Sequence, residues 1–181
     1  RASRRIPPPR KGNETMSPVI LFALQLAVLA YALVAGVFLA FSDFIMRSLA
    51  ITGGSGGVEA MQAINREVFR WIFMTLFLGM AAGSAAIAAY AWFMLDGPAG
   101  SLIIAAAVIY LVGCFGVTVF FNVPMNEALA GMNSPSEATQ TYWRETYVPR
   151  WTFWNSVRTV ASAMSAALLL TGLGWMTQSQ A

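Results

Sequence analysis

Four residues suited to holding an aromatic or anionic ligand stand at the entrance of the last apolar segment. At spacings of i, i+3, i+4 and i+7 they are Trp151, Trp154, Asn155 and Arg158. This spacing places all four on one face of a helix. An amide and a guanidinium are costly to bury in a membrane, so their presence there indicates a functional site. The two indoles offer flat apolar walls beside these donors.

Polar side chains also stand at the ends of the other three apolar segments. When four membrane helices run alternately up and down, the end of the first, the start of the second, the end of the third and the start of the fourth share one membrane face. We call this face the mouth. The further candidates that it gathers are Asp43, Asn65, Arg66, Phe121, Asn122, Asn126 and Glu127. Together with the tryptophans they predict a pocket for a flat apolar molecule.

A purely structural role for the same charges is the alternative. Arg66 or Arg158, paired with Asp43 or Glu127, could tie helix ends together without binding a ligand. Buried pairs of this kind stabilise little, although the loss of one partner is expensive. Both interpretations stand on the sequence alone.

The composition is that of an integral membrane protein. Of the 181 residues, 57% are hydrophobic and only 10% are charged, whereas an ordinary soluble domain has about 25% charged residues. Four apolar runs each reach the roughly 20 residues needed to cross the hydrocarbon core. We expect membrane spans at residues 18–41, 71–95, 100–121 and 151–176.

These spans predict an all-α fold, an integral membrane four-helix up-down bundle that occupies residues 17–177. Short amphipathic helices are expected in the connections between spans one and two and between spans three and four. The second of them is predicted to have Ser134 as its N-cap and to end at Pro149. Gly79 and Gly83 form a small-xxx-small spacing, which predicts the close approach of another helix to span two.

Both ends of the chain are expected to lie outside the bundle. Residues 1–16 are basic and proline-rich, which predicts a disordered arm near anionic lipid, and residues 178–181 form a tail. The positive arm favours a cytoplasmic N-terminus and an outward-facing mouth, whereas a chain that starts at Met16 would turn its mouth toward the cytoplasm. The expected location is the bacterial inner membrane, which the protein crosses several times.

The chain contains no histidine and a single cysteine, Cys114. Histidine-ligated haem, a histidine general base and the common copper and di-iron sites therefore need groups that this chain does not supply. One cysteine also excludes an internal disulfide and argues against zinc and iron–sulfur sites. No cofactor, no metal and no nucleic-acid partner are expected.

Four short motifs, in order along the chain, resemble those of a known family. They are FSDFIM at 41–46, MQAINR at 61–66, FNVPMN at 121–126 and WTFWNSVRT at 151–159. These motifs resemble those of the anthrone oxygenase family. Its members are small membrane proteins with four spans, and many of them are classified only as a domain of unknown function. The likeness extends over residues 19–170. It implies an oxidoreductase that converts an anthrone to an anthraquinone with neither metal nor flavin.

The resemblance also implies roles for the residues at the mouth. An anthrone loses an acidic benzylic proton to give an enolate that reacts with dioxygen, so the site needs a base, oxyanion donors and a dry aromatic slot. Glu127 or Asp43 would be the base, with the slot formed by Trp151 and Trp154. The donors would come from Asn122, Asn126, Asn155 or Arg158.

Ser156 departs from the family pattern, in which a histidine follows the Trp-Asn pair. A serine hydroxyl neither takes up a proton near neutral pH nor binds a metal well. Two functions therefore stand side by side: a cofactor-independent oxygenase of a polycyclic phenol or quinol, and a non-catalytic accessory subunit of a larger respiratory or photosynthetic membrane complex. The lipid bilayer is an expected partner in both cases. The oxygenase would also bind an aromatic or quinone molecule, and the accessory subunit would bind such a complex. A transporter, the third alternative, lacks the broken helices and internal repeat typical of that class.

Overall fold

The computed structural model describes residues 17–178, and every regular element within this range is a helix. The predicted arm and the last three residues of the predicted tail lie outside the described residues. The α-helices, numbered in chain order, are α1 Pro18–Ala40, α2 Met46–Ala50, α3 Gly56–Glu67, α4 Ile72–Met94, α5 Gly97–Ile109, α6 Val123–Ala130, α7 Glu137–Tyr142 and α8 Val148–Gln178. Segments of π-helix join several of them, at Phe41–Ile45, Tyr110–Gly116, Thr118–Asn122 and Trp143–Tyr147.

Four helical stretches are long and apolar enough to cross a membrane. They are Pro18–Ala50, Ile72–Met94, Gly97–Ala130 and Glu137–Gln178. They form an all-α membrane bundle in which α8 packs between α1 and α5, and α4 packs against α5 and α1. The predicted fold class is therefore confirmed.

The connecting helices cover the mouth of the bundle. α3 lies against α6, where the Gln62 side-chain amide donates to the carbonyl oxygens of Leu129 (2.8 Å) and Met132 (3.1 Å). A hydrophobic cluster beneath them consists of Met46, Val58, Met61, Leu129, Trp143, Tyr147 and Trp151. Because this cluster includes Trp151 of α8, the connections are anchored to the same helix that carries the candidate site.

Close helix packing occurs at a different glycine from the one predicted. A Cβ atom added to Gly79 or Gly83 would meet nothing within 4 Å, so the small-xxx-small prediction for span two is wrong. A Cβ on Gly113 would lie 2.7 Å from the Cβ of Ala161. The tight contact therefore joins spans three and four, where only a glycine lets the two backbones approach so closely.

Two predicted features of the last connection are also wrong. α7 begins at Glu137, and Ser136 rather than Ser134 is its N-cap, because the Ser136 Oγ accepts from the Thr139 amide at 3.2 Å. Pro149 does not end the helix, since it lies in the first turn of α8. The missing N–H of a proline is tolerated in a first turn, and the π-helical segment Trp143–Tyr147 just before it keeps the chain helical.

Candidate functional site

A cavity of about 90 Å³ lies at the mouth, enclosed by residues from all four spans and from α3. Most of its wall is apolar, and its aromatic members are Phe38, Phe41, Phe69, Phe73, Phe77 and Trp151. The polar side chains that line it are Asn65, Thr118, Asn126 and Arg158. An apolar cavity with a few convergent polar groups is the usual form of a small-molecule site.

Arg158 is the charged residue of this lining, and it is only 5% exposed. Its Nη2 donates to the Asn155 Oδ1 at 2.7 Å, and its Nη1 donates to the Thr118 Oγ1 at 3.2 Å. The guanidinium carbon lies 4.1 Å from the centre of the Phe38 ring and 5.3 Å from that of Trp151. The positive charge is therefore held between aromatic faces and neutral oxygen atoms.

Asn155 fixes the position of Arg158 against α1. Its side-chain amide nitrogen donates to the Phe38 carbonyl oxygen (2.6 Å) and to the Ser42 Oγ (2.7 Å), while its oxygen accepts from Arg158. Asn155 itself is fully buried. A buried amide with both ends hydrogen-bonded holds one geometry, so Asn155 orients the guanidinium rather than forming part of the cavity wall.

A second group of polar side chains centres on Asn126. Its Oδ1 accepts from the Tyr147 hydroxyl and from the Trp151 indole nitrogen, each at 2.8 Å. Asn65 donates in turn to the Tyr147 hydroxyl at 3.3 Å. This network joins α3, α6, the Trp143–Tyr147 segment and α8, and it sets the plane of the Trp151 ring in the cavity wall.

The two candidate carboxylates lie outside the cavity. Asp43 and Glu127 are exposed, and neither belongs to the lining. Asp43 faces Arg47, with 3.9 Å between the Arg47 Nη2 and the Asp43 Oδ1. Arg66 is exposed as well and is also absent from the lining.

Arg158 has no carboxylate within ion-pairing distance in the part of the chain that the structure describes, where the pairs are Arg47–Asp43 and Arg70–Glu67. Its Nε is buried without a hydrogen-bond partner among the described residues. The alternative in which Arg158 ties helix ends together through Asp43 or Glu127 therefore does not describe this bundle.

Three further candidates lie near the cavity but do not line it. Trp154 stacks on Phe121, with 3.7 Å between ring centres and 13° between planes, and Phe121 is 39% exposed. Asn122 is fully buried; its amide nitrogen donates to the Trp151 carbonyl oxygen at 3.3 Å, and its Oδ1 has no partner within the described range. The four predicted residues in the lining are Asn65, Asn126, Trp151 and Arg158.

Ser156 contacts the π-helical segment Phe41–Ile45 instead of the cavity. Its hydroxyl donates to the Ser42 Oγ at 3.0 Å and to the Thr152 carbonyl oxygen at 2.9 Å. Ser156 lies between Trp151 and Arg158, five residues after the first and two before the second, and unlike them it does not line the cavity. The side chain at this position therefore reaches the cavity only through Ser42 and Asn155.

Five residues that contribute to the site were not predicted from the sequence. They are Phe38, Phe73, Phe77, Thr118 and Tyr147. The phenylalanines carried a weak signal, because Phe73 and Phe77 are four residues apart at the start of an apolar span. Thr118 and Tyr147 carried none: they are ordinary residues that π-helical segments bring to the mouth. Segments of this type are frequent at functional sites.

A larger groove of about 540 Å³ runs between α1 and α4 toward the opposite end of the bundle. Its wall consists almost entirely of aliphatic side chains, with Leu24, Met80 and Ile87 among them and Tyr90 at its end. Nothing there could orient a ligand by charge. The smaller cavity at the mouth is therefore the candidate site.

Residues 66–168 match the model of the family described as Anthrone oxygenase, which is more than half of the chain. The chain belongs to the anthrone oxygenase family. The anthrone oxygenase match includes Asn126, Trp151 and Arg158 but ends short of α1, which supplies Phe38. No match was found among the curated proteins or among the solved structures.

Proposed function

We propose that the cavity at the mouth binds a flat aromatic or quinol-like molecule from the bilayer, and that the chain oxidises it with dioxygen without a cofactor. Arg158 is the observation that carries the proposal. It is a buried positive charge, set against Phe38 and Trp151, in a cavity whose other lining residues are mostly apolar. Such a lining suits the π-face of a ring system together with one oxygen atom that carries negative charge.

The reaction that fits this lining is the oxidation of an anthrone to an anthraquinone. The methylene carbon loses a proton, and the electron pair delocalises onto the carbonyl oxygen as an enolate. Dioxygen adds at that carbon, and the resulting hydroperoxide loses water to give the second carbonyl group. One anthrone and one dioxygen thus yield one anthraquinone and one water.

Arg158 would donate to the developing oxyanion, and its place between aromatic rings strengthens that interaction because water is largely excluded. Asn65 and Asn126 supply further polar groups at the opposite wall. Trp151 would lie along the ring system of the ligand. Asp43 and Glu127 are too exposed and too far outside the lining to be proposed as the base.

A three-ring ligand needs more room than the cavity of about 90 Å³ offers. Ligand pockets have volumes of roughly 300–1,000 Å³, so binding must move lining side chains. The lining residues best able to move are Phe69, which is 64% exposed in the link between α3 and α4, and the half-buried, flexible Met74. Entry from the bilayer past these side chains suits a lipophilic substrate.

Turnover by the purified full chain tests this function. The protein in mild detergent is mixed with anthrone under air, and formation of anthraquinone is followed against the same detergent without protein. We expect a rate above that of autoxidation, its loss in Arg158→Gln, and its retention in Arg150→Gln, which removes an exposed charge from the same helix. A rate equal to autoxidation would overturn the oxygenase proposal.

A non-catalytic subunit of a larger membrane complex is the second candidate. The observation that favours it is the lining, which has no carboxylate among the described residues. Ser156 also stands where the family pattern has a histidine. Extraction from native membranes in mild detergent, followed by native electrophoresis, tests it. Migration within a large assembly, combined with no turnover, would favour this role, whereas migration of the chain alone would contradict it.

The location that we propose is the bacterial inner membrane. Its support is the helical character of the four spans, because proteins of the bacterial outer membrane cross it as β-barrels. Fractionation of the two membranes of the native cell, with detection of the chain in each, tests the location.

A further inference from the structure

We infer that the ligand is a weak acid, such as a phenol or the enol of an anthrone, and that the cavity holds it as its anion with Arg158 as the counter-charge. This inference rests on the proposed function of the cavity as an aromatic site. It goes beyond that function because it states the protonation state in which the ligand binds.

Among residues 17–178, the surroundings of Arg158 contain no negative charge. The groups in contact with it are the Phe38 ring from α1, the Thr118 hydroxyl from the third span, and the Trp151 ring and Asn155 amide from α8 itself. Phe73 and Phe77 of α4 line the same cavity. The titratable groups that interact with it electrostatically are the Cys114 thiol and the Tyr147 hydroxyl. Both are neutral near pH 7 at their ordinary ionisation.

Buried charges in proteins are normally paired, because an ion removed from water loses several kcal/mol of solvation. Not all hydrogen-bond donors of the Arg158 guanidinium are used, since its Nε has no partner in the described part of the chain. The residues that contact it are neutral acceptors and aromatic faces. An anionic ligand in the adjoining cavity would complete the set of partners.

This arrangement also removes the need for a general base in the cavity. The O–H bond of the acid breaks heterolytically, its electron pair stays on the oxygen and spreads into the ring system, and the proton passes to water at the membrane surface. Arg158 favours this ionisation because it stabilises the charged form and not the neutral one. The lining needs to supply only the positive charge and the aromatic wall, and it contains both.

A matched ligand pair tests the inference on the wild-type chain in mild detergent. The probes are 2-hydroxyanthraquinone and its methyl ether, 2-methoxyanthraquinone, with binding measured by tryptophan quenching from pH 5 to pH 10 and corrected with empty micelles. Below the pKa of the hydroxy compound, its apparent affinity should rise about tenfold per pH unit and then level off, because only the anion binds. The ether should bind at least about tenfold more weakly, without a pH dependence.

The bound hydroxy compound should also show the absorption band of its anion at a pH where the free compound is neutral. Equal binding of both compounds, independent of pH, would contradict the inference. The proposal that the cavity binds aromatic molecules would still stand. If neither compound binds, the inference and the proposed binding function both fail.

Variants provide an independent check. Arg158→Gln should abolish both the pH dependence and the preference for the hydroxy compound, and Arg158→Lys should keep part of each because it retains the charge. Arg150→Gln, with an exposed charge removed from α8, should behave as the wild type. A pH dependence that persists unchanged in a folded Arg158→Gln protein would overturn the inference. If that variant does not fold, the ligand pair on the wild-type chain decides.

Discussion

Phe38 meets Arg158 through its ring, at 4.1 Å from the guanidinium carbon, and its carbonyl oxygen accepts from Asn155, the residue that holds the guanidinium in place. One residue of α1 thus contacts both the charge and its support. A cation–π contact contributes about 0.5–2 kcal/mol, whereas burying an ion costs several kcal/mol. The contact with Phe38 offsets only part of that cost, and we expect the remainder to favour the binding of an anionic partner.

Asn155→Ala should destabilise the bundle. The change leaves one Arg158 N–H without its partner in a buried setting and removes one of the donors to the Phe38 carbonyl oxygen, which keeps the Phe41 N–H, at an expected loss of about 2–3 kcal/mol. Thermal unfolding in mild detergent should show a midpoint lower by about 5–10 °C. Thr171→Ala is the matched control, because its hydroxyl bonds an exposed carbonyl of the same helix. Equal midpoints for the two variants would contradict the supporting role of Asn155.

Ligand binding should quench Trp151 and not Trp154. Trp151 lines the cavity, whereas Trp154 stacks on Phe121 outside it. Trp151→Phe should therefore lose most of the fluorescence change that an anthraquinone ligand causes, and Trp154→Phe should keep it. The reverse pattern would place the ligand on the outer, Phe121 side of α8.

The two mouth carboxylates should not be needed. Asp43 and Glu127 are exposed and do not line the cavity. Because exposed charges interact only weakly with their surroundings, Asp43→Asn and Glu127→Gln should each change turnover or affinity by less than about twofold. The assay is the anthrone oxidation rate or, for a non-catalytic chain, the dissociation constant of the ligand. A loss of tenfold or more, on the order of 1.4 kcal/mol, would make that carboxylate part of the site.

Gly113→Ala should loosen the contact between spans three and four. The new methyl group would lie 2.7 Å from the Ala161 Cβ, and overpacking of this kind typically costs about 1–3 kcal/mol. Gly79→Ala, which meets open space, should be neutral or slightly stabilising, within about 1 kcal/mol. Thermal midpoints in detergent compare the two. An equal effect of both substitutions would show that the helices are not packed as described.

Long-range features of the fold follow from local composition. Apolar runs long enough to span a bilayer define the four membrane helices, and the short loops between them force an alternating bundle. The same reasoning brings Trp151, Asn155 and Arg158 to one face, since α8 is regular through this stretch. All three are buried on the side that faces the other spans.

The parts of the site that the pattern missed depend on π-helical segments. A π turn contains one residue more than an α turn, which rotates every residue beyond it by about 100° around the helix. The segments Phe41–Ile45 and Thr118–Asn122 lie where the first and third spans reach the mouth. Residue counting at 3.6 per turn therefore could not tell that Asp43 faces outward or that Thr118 reaches Arg158.

The position of Trp154 shows a second limit. It follows Trp151 by three residues and precedes Arg158 by four, and this helical spacing predicts that all three lie on one face. Asn155 contacts α1 and is fully buried, whereas Trp154 lies on the other flank of α8 against Phe121. Which flank of a helix is covered depends on where its neighbours pack, and this information is in the assembled bundle and not in one segment.

Photoaffinity labelling locates the ligand most directly. An azido-anthraquinone is irradiated with the full chain in mild detergent, with and without excess 2-hydroxyanthraquinone, and the labelled residues are identified by mass spectrometry. We expect competed labelling at Phe38 and Trp151, whose rings lie over the guanidinium of Arg158, and at Phe73 in the same lining. Labelling that is not competed, or that falls along the apolar groove at Leu24 and Met80, would contradict a ligand site at the mouth.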